Sequence, residues 1–270
     1  MRIALTGASG IVGGFLARGV RAAGHDLNPL PGYRLGDAPD LSGHDALIHA
    51  AFAHAPGRYR GGEGDDPEGF LHLNLDGTLR LFRAAAAAGV ARIVFLSSRA
   101  VHDGRPAGTL LTDDLPPAPT TLYGEVKAQA EAALAALPLH AVSLRATGVY
   151  GPGKGNKWRE MFADYLAGRP VPSRVATEVH GDDLASAALL ALRDDAPASL
   201  NVSDLVLDHH DLLAEVARLT DCRHPLPPRA DASALRIADC SGLVALGWRP
   251  GRMDLLRATL PRLLDQSPEV

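Results

Sequence analysis

A glycine-rich loop, Thr6-Gly7-Ala8-Ser9-Gly10-Ile11-Val12-Gly13, follows a short apolar strand and leads into a helix. Gly7 permits a tight turn, Gly10 removes a side chain where a pyrophosphate must approach, and Gly13 lets the helix pack closely on the sheet. The N-terminus of the helix presents free N–H groups and the positive end of the helix dipole. This strand–loop–helix unit therefore predicts a binding site for the pyrophosphate of NAD or NADP. The residues expected to line this binding site are Gly7, Ser9, Gly10, Ile11 and Gly13.

Strand-like and helix-like segments alternate over the first two thirds of the chain, which is typical of a parallel sheet covered by helices on both faces. We therefore expect an α/β fold, a Rossmann-like doubly wound parallel sheet with a small C-terminal substrate-binding lobe. The dinucleotide-binding domain is predicted to span residues 1–150, with 182–204 returning to it, and the lobe to comprise 151–181 and 205–270. Strands are predicted at Arg2–Thr6, His25–Leu30, Ala46–Ala51, Arg92–Ser97, His140–Arg145 and Leu200–Val202, and the main helices at Ile11–Ala23, Phe70–Ala88, Leu122–Leu137, Asp182–Leu192 and His210–Leu219.

Composition and charge argue against a nucleic-acid-binding, membrane-spanning or secreted protein. The 270 residues carry a net charge of −4, so no global basic field would draw the chain onto DNA, RNA or an anionic membrane. No apolar run approaches the ~18 residues that span a bilayer, and the N-terminal apolar run is too short for a secretory signal, so a cytoplasmic location is expected. Cys222 and Cys240 are interpreted as ordinary thiols, and the histidine spacing gives no metal-binding pattern, so no metal is expected.

The preference between NAD and NADP depends on the end of the second strand, where an acid usually binds the ribose hydroxyls of NAD. The sequence there, Leu30-Pro31-Gly32-Tyr33-Arg34, has no acid. Arg34 either faces the 2′-phosphate of NADP or is a solvated loop residue, so NADP is slightly favoured. Asp37 either accepts a hydrogen bond from the adenine amino group or starts the next turn. The predicted cofactor contacts are completed by Ala50, Ala51 and Asn74.

Tyr123 and Lys127 lie four residues apart on a predicted helix and so share one of its faces. A phenol with its reference pKa of ~10 is a poor base at neutral pH, but a neighbouring lysine cation favours the phenolate and lowers that pKa. Tyr123 can then exchange a proton with an alcohol or a carbonyl. Ser97-Ser98 ends a strand at the carboxyl edge of the predicted sheet, where ligands of open α/β folds bind. A hydroxyl there either hydrogen-bonds the reacting oxygen or caps a turn.

Further motifs occur in the same order as in a known family. With the glycine loop, they make the chain resemble the extended short-chain dehydrogenase/reductase superfamily, of the NAD(P)-dependent epimerase/dehydratase type. The resemblance implies that Ser98, Tyr123 and Lys127 are catalytic. It also implies a homodimer, because related enzymes pair through two helices that correspond to the alanine-rich segments 79–88 and 129–136, although intramolecular packing explains these alanines almost as well. The implied substrate-binding residues are Ser98, Arg99, His102 and Tyr123, and Tyr123 and Lys127 are also implied to contact the cofactor. The matching segments are Thr6 to Gly13, Asn74-Leu75-Asp76-Gly77-Thr78, Ser98 with Val101, Tyr123 to Lys127, Arg145 with Val149-Tyr150-Gly151-Pro152, His180 to Ala185, and Gly247-Trp248-Arg249-Pro250.

Two segments depart from the family pattern. The Val-Tyr-Gly segment after the catalytic serine reads Val101-His102-Asp103 here. Between Pro152 and His180 the chain lacks a Gly-Asp-Gly segment, and Ala176 stands where nucleotide-sugar enzymes have an arginine that pairs with the diphosphate. Either Arg174 or Arg169 is a substitute for that arginine, although surface charge explains each of them more simply. These departures weaken the expectation of a UDP- or dTDP-sugar substrate.

The function expected from the sequence is an NAD(P)-dependent oxidoreductase or epimerase. It acts on a small molecule with a sugar-like hydroxyl or carbonyl, by hydride transfer with a tyrosine acid/base. The alternative is a non-catalytic NADP(H)-binding sensor or assembly factor on the same fold. The presence of Ser98, Tyr123 and Lys127 together favours the enzyme, because a sensor needs no activated phenol.

Overall fold

The computed structural model describes residues 1–54, 62–153 and 155–265. Its strands are β1 (Arg2–Thr6), β2 (Asp26–Asn28), β3 (Ala46–His49), β4 (Arg92–Ser98), β5 (Leu110–Leu111), β6 (His140–Ala146), β7 (Gly148–Tyr150), β8 (Val175–His180), β9 (Ser199–Val202), β10 (Leu205–Asp208) and β11 (Ile237–Ala238). Its α-helices are α1 (Ile11–Ala22), α2 (Pro67–Leu71), α3 (Gly77–Ala87), α4 (Leu122–Ala135), α5 (Arg159–Leu166), α6 (Gly181–Leu190), α7 (His209–Thr220), α8 (Ser241–Ala245) and α9 (Arg252–Leu264).

The main sheet has six strands in the order β2-β1-β3-β4-β6-β9, and every pairing is parallel. The chain leaves β1 through α1 to one neighbour, β2, and then returns to the other neighbour, β3. The direction of winding therefore reverses at the carboxyl end of β1, which is where open α/β sheets bind ligands. The glycine loop lies at this point. The predicted α/β fold with a parallel central sheet is confirmed.

Alternation along the strands divides the core between the two faces of this sheet. Ile3 and Leu5 of β1 point into the layer that contains α1 and α6, whereas Ala4 points into the layer that contains α3 and α4. Helices α1 and α6 approach closely because Gly19 has no side chain, and a Cβ there would lie 2.8 Å from the Cβ of Ala185. This close packing holds the start of α6 near the glycine loop.

A second lobe has its own sheet, β10-β8-β7, packed with α5, α7 and α9. Tyr150, Trp158 and Phe162 form part of its core. Strands β7, β8 and β10 and helix α5 were not predicted from the sequence, because the Gly-Pro breaks around residues 151–153 and 168–170 obscure their periodicity. Their side chains line one wall of the cleft described below.

The predicted helix Phe70–Ala88 consists of three pieces: α2, a π-helical turn at His72–Asp76, and α3. It begins three residues earlier than predicted, at Pro67, because the Asp66 carboxylate caps it by accepting a hydrogen bond from the Gly69 amide at 2.8 Å. The π turn places Asn74 inward, where it is fully buried. The sequence favours an exposed loop for Arg58 and Arg60 before this helix, and both residues lie outside the described residues.

Candidate active site

The six-stranded sheet and the second lobe enclose a cleft of about 1070 Å³ at the carboxyl edge of the sheet. The cleft brings together two parts of the sequence prediction, the glycine loop and the residues on β4 and α4. The predicted site residues that line it are Gly7, Gly10, Ile11, Gly13, Ala50, Ser98, Arg99, Tyr123 and Lys127.

The glycine loop is shaped by two close approaches of main chain to main chain. Gly7 has a positive φ of 73°, and a Cβ there would lie 2.6 Å from the amide nitrogen of Ala51. A Cβ on Gly13 would overlap the carbonyl oxygen of Gly7. Gly10 begins α1 without a side-chain cap, so the first-turn N–H groups of α1 receive no side-chain partner from the loop. They can therefore hydrogen-bond an anionic group such as a pyrophosphate.

A buried hydrogen-bond chain fixes the loop to the neighbouring strand and helix. The Thr6 hydroxyl oxygen accepts from the amides of Ala50 and Ala51, both at 3.2 Å. Its own hydrogen then points to Nδ1 of His49, 2.6 Å away, and Nε2 of His49 lies 3.0 Å from the Thr78 hydroxyl. Burial, with Lys127 as a smaller cause, lowers the pKa of His49 to about 3, so the imidazole is neutral. His49 was missed by the sequence analysis, and the signal that would have found it is a histidine ending an otherwise apolar buried strand.

Asn74 holds the segment that follows β3. Its side-chain oxygen accepts from the Ala53 amide at 2.7 Å, and its side-chain nitrogen donates to the Ala53 carbonyl at 2.8 Å and to the Phe70 carbonyl at 3.0 Å. Asn74 does not line the cleft. Asn74 therefore places the main chain next to Phe52, which does line the cleft, and its contact with the cofactor stays a prediction.

The two serines at the end of β4 have different environments. The Ser97 hydroxyl is buried and donates to the Glu131 carboxylate. The Ser98 hydroxyl lines the cleft and accepts from the Ala100 amide at 3.2 Å, so its own hydrogen can be donated to a bound oxygen. The start of α4 comes close to this turn because Gly124 has no side chain; a Cβ there would lie 2.7 Å from the Ala100 carbonyl oxygen.

Tyr123 lies in the first turn of α4, beside that close contact. Thr121 caps the helix by accepting from the Gly124 amide at 3.1 Å. The Tyr123 ring meets the ring of Phe52 edge to face, with centroids 5.1 Å apart. The phenol thus faces the cleft from a capped helix end and is braced by an aromatic neighbour.

Lys127 lies one turn further along α4 and is 4% exposed. Its Nζ donates to the Leu96 carbonyl at 2.7 Å and stands over the rings of Phe52 and Phe95, at 4.3 and 4.6 Å from their centroids. Burial lowers the pKa of Lys127 to about 7, against an opposing effect of the Glu131 carboxylate. The ammonium lies 5.9 Å from the centroid of the Tyr123 ring, which is close enough for its charge to influence the ionisation of the phenol. Lys127 itself can gain or lose its charge near neutral pH, because its pKa is about 7.

The structure does not bring His102 to the cleft. It is fully buried, and its Nε2 lies 3.3 Å from the Arg145 guanidinium, which also grips the Glu131 carboxylate with two nitrogens. Burial and the charge of Arg145 lower the pKa of His102 to about 4. His102, which departs from the family pattern, thus helps to support the chain beneath Ser98 and does not contact the substrate.

Four other predicted cofactor contacts, Ser9, Arg34, Asp37 and Ala51, do not line the cleft. Arg34 is exposed, and its amide donates at 2.8 Å to the Asp37 carboxylate, which therefore closes a turn. Ser9 is also exposed, and neither it nor Ala51 lines the cleft, although the main chain of Ala51 touches Gly7. Asn28 ends β2 and bonds His44, so no carboxylate ends this strand.

The lining of the cleft is rich in cations. Arg99, which pairs with Asp103, lines the cleft as predicted. Arg174 also lines it, whereas Arg169 pairs with Asp164 on the surface. Among the described residues that line the cleft, the only carboxylate belongs to Glu178, which pairs with Lys157. The lysines and arginines there are Arg99, Lys127, Lys157, Arg174 and Arg236.

Comparison with known proteins identifies the family. The sequence model of the NAD dependent epimerase/dehydratase family matches residues 32–203. The chain belongs to this family. It is an enzyme of the extended short-chain dehydrogenase/reductase type, as the sequence predicted, and its cofactor is a dinucleotide of the NAD/NADP kind.

Relatives of known activity include epimerases and a reductase. The UDP-glucose 4-epimerase of Corynebacterium glutamicum is 28% identical over 94% of this chain and 92% of its own length. A 3-diazoavenalumate denitrifying reductase from a Streptomyces species is 30% identical over 76% of both proteins. Among solved structures, MoeE5 in complex with UDP-glucose and NAD superposes with a TM-score of 0.77, at 27% identity and over 98% of each chain. The fold of this family member is thus shared over 98% of its length with a protein whose structure is a complex with UDP-glucose and NAD.

The contact between Gly13 and Gly7 gives a direct test of the loop. Gly13→Ala forces the main chain apart, so we expect a dissociation constant for NADH or NADPH at least about tenfold higher and an unfolding free energy lower by about 1–3 kcal/mol. Calorimetric titration and thermal unfolding measure the two effects.

Gly14→Ala is the matched control one residue along α1. The nearest atom to a Cβ there is the Arg18 guanidinium at 3.8 Å, and replacing a helical glycine by alanine stabilises by up to about 1 kcal/mol. Equal cofactor affinity in the Gly13→Ala and Gly14→Ala proteins would contradict the assigned role of the loop.

Proposed function

We propose that this family member transfers a hydride between NAD(P) and a sugar-like hydroxyl or carbonyl, with Tyr123 as the acid/base. The observation that carries the proposal is the meeting of Ser98, Tyr123 and Lys127 with the glycine loop in one cleft. When bound, the dinucleotide supplies the hydride acceptor or donor. The residues of the chain move the proton and hold the reacting oxygen.

Each of the three side chains has a role that follows from its surroundings. The Ser98 hydroxyl keeps its hydrogen for the reacting oxygen, because its own oxygen accepts from Ala100. The Lys127 ammonium favours the phenolate of Tyr123 by its charge. Tyr123 then removes the alcohol proton as hydride leaves the carbon, or returns a proton to the carbonyl oxygen as hydride arrives.

The cations of the cleft support a substrate that carries an anionic group. They form a local cluster of positive charge in a protein whose net charge is −4. Arg174 is the best candidate to hold the anion, because it lines the cleft and no carboxylate of the described residues forms an ion pair with it. A sugar with a phosphate or diphosphate handle has the required chemistry, and the chain resembles UDP-glucose 4-epimerases.

The same residues serve epimerisation and a single oxidation or reduction. Epimerisation requires both half-reactions in one site with the cofactor retained, whereas a reductase completes only one of them.

We favour NADP as the cofactor by a small margin, because β2 ends without a carboxylate and Arg34 is exposed. Among the described residues no helix is long and apolar enough to cross a membrane. A homodimer through helices α3 and α4 and a cytoplasmic location stay predictions.

Replacing the phenol tests the acid/base. Tyr123→Phe keeps the ring that packs on Phe52 but removes the proton carrier, so turnover is expected to fall about 10³-fold. The dissociation constant for the reduced dinucleotide is expected to stay within about twofold. Turnover is followed by the absorbance of the nicotinamide with a panel of nucleotide sugars and sugar phosphates.

Tyr165→Phe is the control, because the Tyr165 hydroxyl donates to the His224 carbonyl in the second lobe and does not line the cleft. It should retain turnover. Full activity in the Tyr123→Phe enzyme would exclude Tyr123 as the base, and tight NADPH binding without turnover in the wild-type protein would favour the sensor instead.

The anionic handle is tested at Arg174. Arg174→Met removes the charge at similar length, so KM for a phosphorylated sugar substrate is expected to rise about tenfold, the effect of losing one charge-assisted contact. Arg169→Met, which alters a surface pair with Asp164, is expected to leave KM unchanged. Equal KM values in the two variants would show that the anion is not held at Arg174.

A further inference from the structure

We propose that Phe52 is a positioning residue, which holds the Lys127 ammonium in its charged form and braces the Tyr123 ring. The functional roles of Lys127 and Tyr123 rest on the function proposed above. The contacts that place Phe52 between them do not, and they can be tested without turnover.

The surroundings of the ammonium are mostly aromatic. Nζ of Lys127 donates a hydrogen bond to the Leu96 carbonyl at 2.7 Å. The rings of Phe52 and Phe95 flank it, with Phe52 the nearer at 4.3 Å. No carboxylate of the described residues forms an ion pair with Lys127, so the negative faces of the two rings take the place of a counter-ion.

Phe52 is fixed from both sides. Its neighbour Ala53 is pinned at amide and carbonyl by Asn74, which sets where the segment after β3 runs. Its ring packs edge to face on Phe70, with centroids 5.6 Å apart, and on Tyr123 at 5.1 Å. One side chain therefore touches both partners of the predicted acid/base pair.

The charge of Lys127 results from opposing influences. Burial disfavours the ammonium, and Glu131, one turn along α4, favours it. The other titratable groups that face it are Tyr123 on the same helix and His49 at the end of β3, and His49 is neutral. Against this background a ring 4.3 Å away stabilises the charged form, and an aliphatic side chain of similar size would keep the burial but lose that stabilisation.

The experiment titrates the lysine directly. The sequence has three lysines, Lys127, Lys154 and Lys157, so protein with isotope-labelled lysine side chains gives three resonances. Lys127→Arg assigns the signal of interest by its loss. Phe52→Leu is expected to lower the pKa of Lys127 by about one unit, a tenfold change in its ionisation constant. Phe52→Tyr keeps an aromatic ring and is expected to restore the wild-type pKa.

Phe70→Leu is the matched control, because Phe70 contacts Phe52 and not the ammonium. Its Lys127 pKa is expected to equal that of the wild type. Thermal unfolding confirms that each variant is folded, and Phe52→Met replaces Phe52→Leu if the latter is not. A Lys127 pKa in folded Phe52→Leu or Phe52→Met that matches the wild type would overturn the proposal.

A second readout links the contact to catalysis. In Phe52→Leu the alkaline limb of the pH–rate profile is expected to move to lower pH together with the Lys127 pKa, whereas lost packing alone would lower the rate equally at all pH values. If Tyr123→Phe is fully active while the lysine titration shifts as expected, the proposed acid/base fails and the role of Phe52 in holding Lys127 stands.

Discussion

The glycine loop can hold a pyrophosphate only if its main chain lies against the next strand, and the rest of the site depends on that contact. Gly7 lies so close to the amide of Ala51 that no side chain fits between them. The Thr6 hydroxyl joins the same two segments by accepting from both Ala50 and Ala51. The residues after β3 are thereby set in space, and Phe52, which faces Tyr123 and Lys127, is among them.

The histidines that support the site are neutral, whereas the cleft is lined with cations. His49 and His102 are buried and have lowered pKa values, so they support the loop and the β4 turn as neutral hydrogen-bonding groups. The Arg145–Glu131 pair is buried beneath Ser97, and a buried pair of this kind is costly to break. Of the cations that line the cleft, Arg99 and Lys157 pair with carboxylates, whereas Arg174 and Arg236 form no ion pair with a carboxylate of the described residues, which suits an anionic ligand between the two lobes.

The sequence predicted the parallel sheet, the strand–loop–helix unit of the glycine loop and the shared helix face of Tyr123 and Lys127, because those features depend on local patterns. A glycine triplet between a strand and a helix, and a tyrosine and a lysine one turn apart, are visible in a few consecutive residues. The second lobe was harder, because its strands are short and are separated by Gly-Pro breaks. Lys157, in the segment before α5, contacts Glu178 of β8, and no local pattern reveals this contact. His102 was misplaced because the family pattern puts a cleft residue there, and only the packing against Arg145 shows that its side chain turns inward.

The central claim is that this cleft passes a hydride to and from a bound dinucleotide. A single-turnover experiment tests it most directly: enzyme with the oxidised dinucleotide is mixed with a nucleotide sugar, or a sugar phosphate, deuterated at its reacting carbon. The absorbance of the nicotinamide is followed together with the label. Reduced nicotinamide is expected to form more slowly from the deuterated sugar than from the unlabelled one. The deuterium is expected to appear on the cofactor or to return to the sugar carbon. Tight dinucleotide binding with no reduced nicotinamide and no transfer of label from any such substrate would contradict it.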